Sequence, residues 1–225
     1  LVDLYLLAEK CYQVEMPEKK PFLVLENKYQ GPQKETHPKN FKSQTEFHFC
    51  LSGTLTPAFG AEQGIRWFQQ IQKTYPKSRL TVIGHVPVSD FFQKLKSIQH
   101  ESQGIEWVIS ETPIPHQELI EAIAKADFSL LPYTLHPAIA GKMPSKLFEC
   151  AALGTPVLIT PNPVWERFLS PFSGGFSLDF SDFSKALFQF QKAIDLDYFS
   201  TSPSSDVYWN TEKAELQEAI EKLLS

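Results

Sequence analysis

The residues best suited to chemistry lie close together in residues 143–160, MPSKLFECAALGTPVLIT. A helix start there offers unpaired amides, the Ser145 hydroxyl and the Lys146 ammonium, a combination that suits a phosphate. Glu149, one turn further in, can accept hydrogen bonds from a sugar diol. Pro144 fits the first helical position, where its missing N–H costs nothing, and Gly154 fits the left-handed stop. Leu147, Phe148, Ala151 and Ala152 recur at helical spacing and face a core, which leaves Ser145, Lys146 and Glu149 on the other side. Residues 156–160 then read as an interior strand of a parallel sheet. Helices with exposed Lys and Glu are common surface elements that bind nothing, so the weight falls on the surroundings.

Those surroundings alternate. Strands are predicted at residues 47–55 (FHFCLSGTL), 80–86 (LTVIGHV), 105–109 (IEWVI) and 128–133 (FSLLPY). Helices are predicted at residues 61–74 (AEQGIRWFQQIQKT), 90–100 and 117–126 (QELIEAIAKA). After residue 160 come a strand at 174–179 and helices at 183–194 and 210–224. Alternation of this kind implies βαβ units and an α/β, doubly wound, Rossmann-like parallel sheet of about six strands. Ligands of such sheets bind beyond the carboxyl ends of the strands. Gly53 and Thr54, Gly84 and His85, Pro113, and the loop 133–142 all fall there, beside the helix start at 144–146. His85 and His136 sit in these loops, although a loop histidine is more often solvated; His116 precedes a helix and reads as structural.

At 225 residues the chain can bury a full core. Its 42% apolar and 21% charged content is that of an ordinary globule, and a formal charge of -5 without a basic run argues against nucleic acid. Eighteen phenylalanines against two methionines skew the core but indicate no function. Three widely spaced cysteines, Cys11, Cys50 and Cys150, form no metal or disulfide pattern, so a cytoplasmic location is expected. No apolar run reaches the length of a membrane span, and the acidic N-terminus does not resemble a signal peptide. Residues 1–16 read as an amphipathic helix with Leu4, Leu7, Cys11 and Val14 on one stripe. Residues 21–26 (PFLVLE) read as a short strand, and the polar residues 27–44 as a linker. Asp195 and Asp197 form a DxD pair, read as a solvated helix terminus, and no metal is expected.

The order of these segments resembles the C-terminal domain of the group 1 retaining glycosyltransferases of the GT-B fold. A strand ending in Gly53-Thr54 leads to a helix opened by EQGI. RLTVIGHV, ADFSLLPY and PSKLFECAALGTPVLIT follow, and YWNTEKAELQEAIEKLL is similar to that family's closing helix. PSKLFE with LGTPV is the most specific piece, and the likeness spans residues 47–224. It implies that Glu149 accepts the ribose hydroxyls of a UDP- or GDP-type donor sugar. Ser145 and Lys146 would hold the diphosphate, with Gly53 approaching it closely, and the segment near Pro113 would cover the base. No further cofactor is implied.

Three positions depart from that family's pattern: Gly141 stands where a second glutamate is usual, and Thr54 and Gln63 stand where bases are usual. On this reading residues 1–44 are a remnant of a preceding lobe plus linker, and residues 45–225 are the donor-nucleotide domain. The chain is then expected to be a fragment, inactive alone. The absent N-terminal lobe would carry the acceptor site and any peripheral membrane contact. Two other functions fit the same residues: a non-catalytic nucleotide-sugar-binding module with a degraded site, and an unrelated flavodoxin-like regulatory domain.

Overall fold

The structure, a computed structural model, describes residues 3–16 and 20–224. Its centre is a six-stranded parallel sheet. In chain order the elements are β1 (His48–Thr54), α1 (Ala61–Thr74), β2 (Arg79–His85), α2 (Ser89–Glu101), β3 (Ile105–Ser110), α3 (His116–Lys125) and β4 (Phe128–Leu131). Then come α4 (Ser145–Leu153), β5 (Val157–Ile159), α5 (Pro163–Leu169), β6 (Gly175–Ser177), α6 (Ala186–Ile194) and α7 (Asn210–Leu224). The strand order is β3-β2-β1-β4-β5-β6, so the winding reverses between β1 and β4. A doubly wound sheet opens its ligand crevice at that reversal.

Side-chain alternation along β1 sets the character of the two faces. Phe47, Phe49 and Leu51 point to one side, where α1 packs on α6. There Phe49 meets Trp67 at 5.6 Å and Phe190 at 5.3 Å between ring centroids, and Phe128 and Tyr198 extend the cluster. Part of the phenylalanine excess is therefore one aromatic layer, and Phe148, Phe168, Phe172 and Phe199 form another group. Cys50 and Ser52 point the other way, toward α4. Small residues there, with Ala151 and Ala152 on the helix, let α4 lie close to the sheet, and its Cys150 is 1% exposed.

Several segments differ from the sequence reading. Residues 3–16 are not a helix: Tyr5–Leu7 is a strand paired in parallel with Phe22–Val24, followed by a 3₁₀ segment Lys10–Glu15. The proposed stripe dissolves, because Leu7 is buried while Cys11 is exposed and Val14 is 88% exposed. Pairing supplies the reason, since Tyr5 donates to the Pro21 carbonyl and Leu25 to that of Leu7. Leu1 and Val2, the start of that predicted helix, lie outside the described residues. Residues 27–44 connect, but they also join the body. Phe41 is 4% exposed against Phe128, Lys39–Asn40 pairs antiparallel with Asp197–Tyr198, and Tyr29 exchanges backbone bonds with Val207 and Trp209. Asp195 caps α6, and Asp197 accepts from Asn40.

Candidate functional site

A cleft of about 670 Å³ lies over the carboxyl ends of β1, β2 and β3, at the winding reversal. Gly53, Thr54, Pro113, Ser145, Lys146 and Glu149 all line it, as does His85. Gly84 and His136 do not. A Cβ on Gly84 would stand 1.8 Å from the Gly53 carbonyl oxygen, so this glycine lies behind β1 and lets two backbones approach.

α4 supplies the floor. Pro144 stands one place earlier than expected, at the N-cap, with φ -62° and ψ 133°. No side chain caps this end, so its first amides are free to meet a ligand. Gly154 takes the left-handed stop with φ 63°. Of the polar side expected for α4 only Ser145 is exposed: Lys146 is 8% exposed and Glu149 7%. α3 packs against the helix and meets Glu149 through His116, while Lys146 turns in against β1.

Lys146 donates to Ser52 Oγ at 3.1 Å and has no carboxylate partner among the described residues. Its ammonium fills the space that the missing Gly53 side chain leaves, 2.8 Å from where a Cβ would stand. Gly53, at φ 104°, is thus needed for conformation and for clearance. A buried cation with one neutral hydrogen bond, beside free helix amides, is built to receive an anion. Glu149 Oε1 lies 3.1 Å from His116 Nε2, whose side chain is 63% exposed. His116, read from the sequence as structural, thus lies in the cleft and holds Glu149.

The upper wall comes from the loop after β4. Tyr133 stacks on Phe59 at 4.8 Å and meets Trp165 edge-on at 5.6 Å. Burial, then the Glu149 charge, pushes the Tyr133 hydroxyl up, so it stays protonated and can donate. α5, which the sequence reading missed, holds this loop: Asn162 donates to the Ala140 carbonyl at 3.0 Å and Trp165 Nε1 to that of Lys142 at 2.7 Å. Asn162 caps α5 by accepting from Val164 N at 2.9 Å, with Pro163 at the first position. That Asn-Pro signal was legible.

Four lining residues come from before β1: Ala8, Glu9, Tyr12 and Asn27. No spacing in the sequence ties them to residues more than a hundred positions away. Of the three atypical positions, only Thr54 lines the cleft; a Cβ on Gly141 would meet nothing within 4 Å, and Gln63 Oε1 is buried without a partner. Burial pushes the thiols of Cys50 and Cys150 up to about 12, which removes them as nucleophiles.

Comparison with known proteins agrees with this fold. The pattern of the family "Glycosyl transferases group 1" matches residues 32–196. Among solved structures, the pneumococcal O-GlcNAc transferase GtfA, in complex with UDP and GlcNAc, superposes with a TM-score of 0.66 at 11% identity, over 99% of this chain and 46% of that one. OtsA in its apo form gives 0.56 at 12%, over 86% and 53%. The α,α-trehalose 6-phosphate synthase of Burkholderia multivorans gives 0.53 at 12%, over 80% and 44%. These likenesses establish the fold, and the chain spans about half the length of the structures it matches. No curated sequence matches significantly.

Proposed function

The chain belongs to the group 1 glycosyl transferases, and we propose that it is the lobe of such an enzyme that holds the donor, a nucleoside diphosphate sugar of the uridine or guanosine type. The carrying observation is Lys146, a nearly buried ammonium with no counter-ion among the described residues, at the uncapped start of α4. A diphosphate supplies the missing charge. Glu149, one turn inward, accepts the ribose hydroxyls, and His116 steadies its other side. Pro113 and Ile114, beyond β3, flank the base.

On this reading the chain contributes the leaving-group half of a retaining transfer. Negative charge grows on the departing diphosphate in the transition state, and contacts that strengthen with it lower the barrier. Lys146 and the α4 amides are such contacts. The acceptor and the rest of the catalytic apparatus belong to a preceding lobe, so these 225 residues are expected to bind donor without transferring sugar. A cytoplasmic setting fits the three free cysteines. No helix among the described residues is long and apolar enough to cross a membrane.

A second reading, binding without transfer even in the longer protein, has its own support. Thr54 brings no charge to the cleft, and Gly141 opens onto empty space where the pattern has a carboxylate. A thermal-shift panel of uridine, guanosine and adenosine diphosphates and their sugars tests the shared premise. A shift of several degrees with one nucleotide family is expected, and no shift with any of them overturns both readings. Turnover by the two-lobed protein separates them.

A further inference from the structure

One wall of the cleft comes from outside the part of the chain that matches the family. Ala8, Glu9 and Tyr12 line it, and the match begins at residue 32. This segment is held in place. Glu9 Oε1 accepts the Met143 amide at 2.7 Å, and the Lys142 ammonium sits 4.6 Å above the Tyr12 ring centroid. The second carboxylate oxygen of Glu9 takes no hydrogen bond among the described residues. Burial raises the Glu9 carboxyl above its ordinary range although the Met143 amide and Lys142 oppose the change. A carboxylate kept half-buried at a cost, with one oxygen engaged and one spare, is suited to accept a ligand hydroxyl.

The linear order of a donor fixes which of its parts reaches this point. Base, ribose, two phosphates and sugar follow one another. With ribose at Glu149 and phosphates at the Ser145 end of α4, the sugar continues away from Glu149, past Ser145, toward Met143. Glu9 is bonded to Met143.

We infer that Glu9 is a specificity-determining residue, whose free oxygen accepts hydroxyl hydrogens of the donor sugar and whose charge selects a neutral hexosyl donor over a uronosyl one. The inference rests on the donor-binding function proposed above. Hydroxyls donate to a carboxylate, whereas a sugar carboxylate set beside Glu9 would be repelled.

The test uses calorimetric titration of the 225-residue chain with UDP, UDP-glucose and UDP-glucuronic acid. GDP, GDP-mannose and GDP-mannuronic acid replace them should guanosine be the nucleotide that binds. The native chain should favour the neutral sugar nucleotide over its uronic counterpart by about tenfold or more. Glu9→Gln keeps an oxygen for the Met143 amide and removes the charge. It should leave affinity for the bare diphosphate within about twofold and reduce the preference to below about threefold. An unchanged preference in Glu9→Gln, or none in the native chain, overturns the inference while donor binding stands. Equal weakening of diphosphate and sugar nucleotides also overturns it, because Glu9 would then only hold the Met143 loop. Failure of the native chain to bind any nucleotide removes the parent reading instead.

Discussion

The two edges of the sheet both bury polar side chains, and they treat them in opposite ways. At the amino edge a chain of side chains answers one another. The Thr81 hydroxyl donates to Glu106 at 3.1 Å and lies 2.8 Å from His48 Nε2. His48 Nδ1 lies 3.1 Å from the Lys125 carbonyl, and Asp127 accepts from the His48 amide at 2.8 Å and from Gln44 at 2.9 Å. At the carboxyl edge, Lys146 has one neutral partner, Glu9 has an oxygen to spare, and the start of α4 is uncapped. A closed network ties strands together; an open one costs stability until something enters it. The difference separates a structural cluster from the candidate site more sharply than residue type does, since each edge holds histidine, acid and base.

The contrast breaks most readily at Lys146. Lys146→Met should weaken nucleoside diphosphate binding by about 3 kcal/mol, roughly a hundredfold, while leaving unfolding midpoints level or higher. Titration calorimetry and urea melts on one preparation measure both, and a clear stability loss would place Lys146 with the structural edge. Glu149→Gln should cost about 2 kcal/mol of nucleotide affinity, with a 2′,3′-dideoxyribose analogue indifferent to the change. Equal loss for that analogue would mean that Glu149 supports α4 and never meets ribose. Across the sheet, Asp127→Ala should cost about 1.5 kcal/mol of stability and leave nucleotide affinity untouched.

Acid should move the two edges in opposite directions. Burial, then Arg79, lowers the His48 pKa, so the unfolded chain binds the extra proton first and stability falls as pH drops through the usual histidine range. The raised Glu9 carboxyl has the opposite sign: its proton is taken up more readily in the folded state, which relieves a buried charge at lower pH. Urea melts from pH 7.5 to 4 should show His48→Asn flattening the first slope and Glu9→Gln steepening the net loss at the acid end. Unchanged profiles in both variants would refute this assignment. The smallest effect belongs to Ser145→Ala, within about threefold in nucleotide affinity, because the backbone amides at that helix start remain.

Much of this was legible because the signals are local. Gly154 as a helix stop, the Gly-ended β1 and the run at residues 117–126 each specify their element from neighbours in sequence. The sheet then follows from handedness and alternation. Lys146 and Glu149 could be picked out for chemistry, but not their burial, because Lys146 lies against β1 and Glu149 against His116 of α3. The cleft wall at Glu9 and Tyr12 was out of reach for the same reason. Leucines near the N-terminus suggested a helix at spacings that a strand pair with Phe22–Val24 could equally use, and parallel pairing across such a gap leaves no periodic trace. α5 is different: its start signal, Asn162-Pro163, is local and present in the sequence.

Gly84 touches nothing that enters the cleft, yet the depth of the cleft depends on it. A methyl at that position would drive the Gly53 carbonyl outward, and with it the tip of β1 that leaves room for the Lys146 ammonium. The charge at the floor therefore depends on two glycines: bare Gly84 leaves the Gly53 carbonyl where it is, and bare Gly53 leaves the room that the Lys146 ammonium fills. Enlarging the site by design would have to leave that hidden position alone, while Gly141, with open space around it, can carry almost any new side chain.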